Sequence, residues 1–301
     1  MLFFPRGTGL ENEIKYSMLI IVSTLSWGVT FPLIKISLEY MSPVIFLSVR
    51  FGISSLLMLP FLKRPWNLSG IREGFIAGFF LFTGYYFQTV GLYYTTPAIS
   101  GLITGLYVVL VPVISFAFLR LKVSSMDWIS VMIALTGLII ISGGQLSNSS
   151  VQFGDILTLI CAVGYALQMI YVARHSHIDT VKFTFFQMLA VFAFSTLLIP
   201  SFKIYSDLTL PIVIFSVLFT AAFAGVLAYF LVNKALIYVK PEKAGIIMVS
   251  EPVFAAIFSV IITGIPLSIY TIIGGSLMVA AMFLTVYDQH RIRKTDNAMI
   301  P

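Results

Sequence analysis

The residues of this chain best able to do chemistry are one isolated carboxylate and a scatter of neutral hydrogen-bonding side chains, all in apolar surroundings. Glu251 stands between Ser250 and Pro252 with apolar residues on either side. A carboxylate so placed can bind an amine or carry a proton; its structural alternative is a pair with Lys234 or with backbone groups freed by the proline. Polar and aromatic residues also recur at i, i+4 and i+7, one face of a helix: Ser23, Trp27 and Thr30; Ser100, Thr104 and Tyr107; Cys161, Tyr165 and Gln168. Tyr85 with Gln88 and Tyr229 with Asn233 extend the pattern. In lipid an unpartnered polar group is costly, so these faces are expected to turn inward. Trp27, Thr30, Tyr85, Gln88, Thr104, Tyr107, Tyr165, Gln168, Tyr229, Asn233 and Glu251 are therefore the candidate substrate-binding residues. Aromatics with neutral hydrogen-bonders are the usual lining of a small-molecule site. Interhelical hydrogen bonding is the competing use for each.

The elements that must position these residues are transmembrane helices. Of 301 residues, 59% are hydrophobic and only 10% charged, and the mean hydropathy is +1.01. A soluble domain carries about a quarter charged residues, so this chain cannot cover a water-facing surface. A spanning helix needs roughly 20 mostly apolar residues, and ten segments qualify: 15–38, 43–62, 71–94, 97–120, 126–144, 154–174, 180–201, 210–238, 241–264 and 267–287. Most prolines fall near segment ends, while Pro32, Pro112 and Pro252 lie inside and predict kinks or local unwinding. The first apolar run is long enough to span and does not read as a cleaved signal peptide.

Charge supports the same layout. The net charge is +6, but the cations occupy alternate short connections instead of one basic stripe, so no nucleic-acid partner is expected. Lys63, Arg64 and Arg72, Arg120 and Lys122, Arg174 and Lys182, and Lys240 and Lys243 share one side with Arg6, Lys15, Arg291, Arg293 and Lys294. Of the opposite connections only 202–210 carries a cation, Lys203. That alternation places both termini in the cytoplasm, with the chain multi-pass in the plasma (inner) membrane.

The two halves repeat. Gly91–Pro97 matches Ala235–Pro241 at an offset of 144, and Val111-Pro112-Val113 matches Glu251-Pro252-Val253 at an offset of 140. A weaker match sets Arg50 opposite Gln187. Five helices per copy is an odd number, so the second copy must be inverted. The expected organisation is a cytoplasmic segment over 1–14, repeats over 15–144 and 154–287, and a cytoplasmic tail over 288–301. The fold class is thus an all-α integral membrane protein, ten helices as two inverted five-helix repeats around a central cavity. Inverted halves can exchange conformations and so alternate access to a site between them.

Ser-Trp-Gly-Val-Thr-Phe in the first span, Thr-Gly-Leu-Tyr-Val-Val-Leu-Val-Pro at 104–112 and Ser-Glu-Pro-Val-Phe at 250–254 resemble the drug/metabolite transporter superfamily, EamA type. The resemblance covers nearly the whole chain. It implies ten helices around a central cavity gated by the third, fourth, eighth and ninth, and secondary transport of metabolites such as amino acids, often as export. Many relatives carry Gly-Glu after the fourth span; here the residues are Leu119-Arg120-Leu121-Lys122, so no role passes to a glutamate there.

The remaining ionisable residues read as structural. Arg50 is expected to cap or pair with a neighbouring helix, and Lys35 and Lys234 to snorkel to the interface. His175-Ser176-His177-Ile178-Asp179 is an incomplete zinc set in a loop, so no metal is expected. No Gly-x-x-x-x-Gly-Lys-Ser/Thr loop is present and no cofactor is implied. The expected function is a secondary transporter of small organic metabolites, amino acids or related solutes, with Glu251 as candidate carrier of a coupling proton. A lipid scramblase or a channel shares the composition. A membrane enzyme would need paired acids, an intramembrane His cluster or a nucleophile with its base. The expected partners are a small-molecule solute and the bilayer; monomer and dimer both fit.

Overall fold

Proline and capping chemistry set the helix starts. Pro43, Pro97 and Pro211 each open a helix at its first position, where a missing N–H costs nothing. The Thr96 hydroxyl accepts from the Ile99 amide at 3.3 Å, and the Asp179 carboxylate from the Lys182 amide at 3.0 Å, each supplying an N-cap. The computed structural model describes residues 10–62, 70–119, 125–143, 149–175, 178–201, 205–235, 238 and 247–298. Its helices are α1 (Leu10–Ser37), α2 (Pro43–Met58), α3 (Ile71–Tyr94), α4 (Pro97–Gly105), α5 (Tyr107–Leu119), α6 (Ser125–Gly143), α7 (Ser149–Arg174), α8 (Thr180–Leu198), α9 (Pro211–Phe219), α10 (Ala228–Ala235), α11 (Ser250–Thr263) and α12 (Ile269–Ala298). A π-helical stretch, Thr220–Leu227, joins α9 to α10.

Six of the helical segments are long and apolar enough to cross a membrane: Lys15–Ser37, Pro43–Phe61, Ile71–Tyr94, Phe153–Val172, Thr180–Leu198 and Pro211–Ala235. Pro97–Val111, Trp128–Ile141, Ser250–Thr263 and Ile269–Leu284 are shorter apolar helices. Large side chains such as Leu56, Phe61, Ile139, Leu197 and Ile261 stand exposed on the outside, an exterior suited to hydrocarbon rather than water. The protein is an all-helical membrane protein.

Two breaks fall where the sequence reading did not put them. Pro112 lies within α5, and the fourth apolar segment is interrupted at Leu106 instead. Pro252 was expected to interrupt a span; the turn is at Val249, and Pro252 sits in the first turn of α11, where it is tolerated. The π-helical stretch has a visible cause. Its neighbourhood carbonyls are taken by side chains from other helices: Trp27 Nε1 donates to Ala224 O at 2.9 Å, Ser54 Oγ to Ala221 O at 3.0 Å and Ser23 Oγ to Ala228 O at 3.2 Å. Side chains inserted into the ladder are a recognised origin of such bulges.

The antiparallel helices α3 and α7 cross at two glycines. A Cβ on Gly164 would lie 2.7 Å from Gly84 N, so only glycine permits this approach. The crossing sets Tyr85 and Tyr165 edge to face, their ring centroids 5.4 Å apart.

One face of the molecule is tightly tied. Lys35 Nζ donates to Leu92 O and Tyr93 O, both at 2.8 Å, capping the last carbonyls of α3. This replaces the snorkelling expected of Lys35. On the same face the Thr95 hydroxyl donates to Asp155 Oδ1 at 2.7 Å. The Met41–Ser206 bridge, with Ser42 N to Tyr205 O at 2.9 Å, joins the α1–α2 turn to the segment before α9.

Candidate functional site

Trp27 and Thr30 come from α1, Tyr85 and Gln88 from α3, and Tyr107 from the start of α5. Tyr165 and Gln168 come from α7, Tyr229 and Asn233 from α10, and Glu251 from the first turn of α11. All ten converge on one cavity. Its free volume is about 70 Å³. From the level of Tyr85 it extends to Val172, Asn233 and Met248, near the helix ends opposite the tied face. Thr104 is not in the wall. It stands behind Gln88, accepting from Gln88 Nε2 at 3.2 Å and contacting Cys161 Sγ at 3.8 Å.

The wall is cross-braced. Tyr165 Oη donates to Gln88 Oε1 at 3.0 Å, so Gln88 is fixed by Tyr165 on one side and Thr104 on the other. Gln168 Nε2 donates to Gln187 Oε1 at 2.9 Å, and Asn233 Nδ2 to Thr184 Oγ1 at 2.8 Å. The Tyr85 and Tyr229 hydroxyls share a hydrogen bond. The Trp27 and Tyr229 rings pack with centroids 5.2 Å apart. Several of these groups thus serve the bundle and the cavity together, and the two uses weighed from the sequence are not exclusive.

Glu251 is buried and accepts a hydrogen bond from the Tyr107 hydroxyl. Its place in the first turn of α11 puts the carboxylate at the positive end of the helix dipole. Lys234, the cation considered as its partner, is exposed and lies over the Phe230 ring, 5.7 Å from its centroid. Arg50, on α2, is fully buried just behind the wall. It donates from Nη2 to Tyr85 Oη at 3.4 Å, and its Cζ lies 4.7 Å from the Tyr85 ring centroid.

The sequence reading missed Phe31, Met169, Val172, Val232 and Met248, which complete the lining. An apolar residue in an apolar span carries no mark of which way it faces. Of the suspected zinc set, Ser176 and His177 lie outside the described residues. His175 Nδ1 contacts Tyr171 O at 2.9 Å and Asp179 caps α8. Among the described residues no three His, Cys, Asp or Glu side chains are grouped to hold a metal.

The EamA-like transporter family model matches residues 14–143 and again residues 152–287. The chain belongs to the EamA-like transporter family. It is 36% identical over 264 residues to an uncharacterized transporter of Archaeoglobus fulgidus, covering 86% of this chain and 82% of that one. It is 30% identical over 259 residues to the uncharacterized transporter YetK of Bacillus subtilis, covering 80% and 78%. A solved crystal structure, 18% identical, covers 91% of this chain and 97% of its own with a TM-score of 0.67, a likeness of fold. This EamA-like protein is accordingly a membrane transporter.

Proposed function

We propose that the protein is a secondary carrier of small organic solutes, amino acids or related metabolites, working by alternating access. The observation that carries this reading is the cavity itself. It draws α1, α3 and α5 from one half and α7, α10 and α11 from the other, and gathers ten polar or aromatic side chains around one buried carboxylate. The doubled family match and two similarly placed breaks, at Leu106 in the first half and Val249 in the second, favour ten helices as two inverted five-helix repeats. Relatives named as transporters favour a carrier over an enzyme.

The charge pattern of the sequence supports a tied face outside the plasma membrane and both termini in the cytoplasm. In that frame the conformation is closed outward, with its cavity reaching toward the cytoplasm. A volume of about 70 Å³ is well short of the roughly 300–1,000 Å³ of ordinary ligand sites, so substrate entry requires the walls to part. Glu251 is the proposed carrier of a coupling proton or partner of a solute amine.

The test is thermal stabilisation of the purified protein by amino acids, amines, carboxylates and nucleosides, with Glu251→Gln in parallel. A ligand that binds only the folded protein stabilises it in proportion to the logarithm of its concentration over Kd. Stabilisation by one class, lost in Glu251→Gln, is the expected result. Stabilisation retained in the variant moves Glu251 from binding to coupling. No stabilisation by any class contradicts the reading.

A further inference from the structure

The carrier reading leaves Arg50, buried behind the cavity wall, without a use. Its side chain has no exposed surface, yet Nε and Nη1 have no hydrogen-bond partner among the described residues. Among the described residues the guanidinium makes one hydrogen bond, to Tyr85 Oη, and it is long at 3.4 Å. The guanidinium also lies over the Phe51 and Tyr85 rings, whose centroids are 4.9 and 4.7 Å from Cζ. Ser54, one turn on, bonds the Arg50 carbonyl and Ala221 O, leaving the guanidinium untouched. A buried cation without a carboxylate costs several kcal/mol, and intramembrane charges are kept where they serve a ligand or ion path. Both forked edges of a guanidinium include Nη2, so once Tyr85 Oη leaves Nη2 an edge is available for a planar oxyanion held by two parallel hydrogen bonds.

Tyr85 touches both the guanidinium and the cavity. The Tyr85 ring is part of the wall, and its hydroxyl takes hydrogen bonds from both Arg50 and Tyr229. Swinging it aside would uncover the guanidinium and also enlarge a cavity too small for a metabolite. We propose that Arg50 is an oxyanion subsite closed by Tyr85, and that the solute's carboxylate displaces the Tyr85 hydroxyl to pair with Arg50. This deepens the carrier reading and rests on it. With Glu251 and Tyr107 on other helices, the site then has a cationic and an anionic pole, and Tyr85 and Tyr229 lie within electrostatic reach of both. Such a site selects solutes carrying an acid and an amine together.

The experiment measures benzoate binding by thermal stabilisation of the full-length protein in detergent, with benzamide as the uncharged match. Benzoate is expected to stabilise the wild type and benzamide not. Arg50→Gln loses the response, and Lys234→Gln, which removes an exposed cation outside the cavity lining, keeps it. Tyr85→Phe, which removes the competing hydroxyl, tightens benzoate about tenfold, the worth of one long hydrogen bond from a charged donor. A purely structural Arg50 gives no such gain. Benzoate no better than benzamide in both wild type and Tyr85→Phe overturns the proposal, as does a response retained in Arg50→Gln. An amino-acid or amine response without a benzoate response removes the subsite and leaves the carrier standing. A benzoate response without carrier activity does the reverse.

Discussion

Gly164→Ala puts one methyl group at the point where the cavity is braced. The new Cβ would lie 2.7 Å from Gly84 N, 3.1 Å from Gly84 Cα and 3.2 Å from Phe80 O, all within α3. Two of these are backbone atoms of a glycine and the third a helix carbonyl, so no side-chain rotation relieves the clash. Ordinary contact begins at 3.4 Å, and α3 and α7 must part by about 0.7 Å. Overpacking of this kind costs about 1–3 kcal/mol, and alanine's better helix propensity returns about 1 kcal/mol. The net loss of up to about 2 kcal/mol should lower the melting temperature by up to about 8 °C. It should also weaken solute-induced stabilisation, because Tyr85 and Tyr165 adjoin the two glycines. Gly264→Ala is the control. Nothing lies within 4 Å of its Cβ, but φ is +70°, so it costs stability through backbone strain alone. Thermal unfolding in detergent, with and without the best solute, reads both effects. A Gly164→Ala protein as stable as the wild type, with its solute response intact, would refute a tyrosine pair held by this crossing.

Lys35→Met removes the donors that tie α1 to the end of α3. A cysteine introduced at buried Ser37, in a Cys161→Ser background, should then react about tenfold faster with an impermeant maleimide, as expected for losing a charge-assisted bond; an unchanged rate would contradict a tie there. Thr95→Val deletes the 2.7 Å donor to Asp155 and should cost about 1.5–3 kcal/mol in thermal unfolding; no loss would mean the bond contributes nothing. The Thr209 hydroxyl and amide hold the Asp207 carboxyl below its ordinary range. A depressed carboxylate pKa stabilises above the unfolded value, and that stabilisation is lost as pH falls through the folded one. The advantage of wild type over Thr209→Val should therefore shrink as pH falls below about 5; a constant difference would contradict this.

Element positions were legible because each span needs a long apolar run and the prolines stand at its ends. The cavity was legible because polar residues in such runs are few and their spacing reveals one face: Trp27 and Thr30, or Tyr165 and Gln168, have only one way to turn. Thr104 shares that spacing with Tyr107, yet the break at Leu106 rotates α5 relative to α4, so Tyr107 reaches the cavity and Thr104 only its outer layer. No residue type announced that break, and none announced the π-helical stretch, which depends on donors from Trp27, Ser54 and Ser23 far away in sequence. Lys35 looked like an interfacial lysine because the carbonyls it caps belong to another helix.

Counterflow in proteoliposomes separates a carrier from a pore. Vesicles are loaded with the solute that best stabilises the protein and diluted into a trace of the labelled form. A carrier that exposes one cavity to each side in turn should accumulate label transiently above equilibrium, and Glu251→Gln should alter that overshoot. Label that rises smoothly to equilibrium, with no overshoot at any internal concentration, would contradict alternating access and point to a channel.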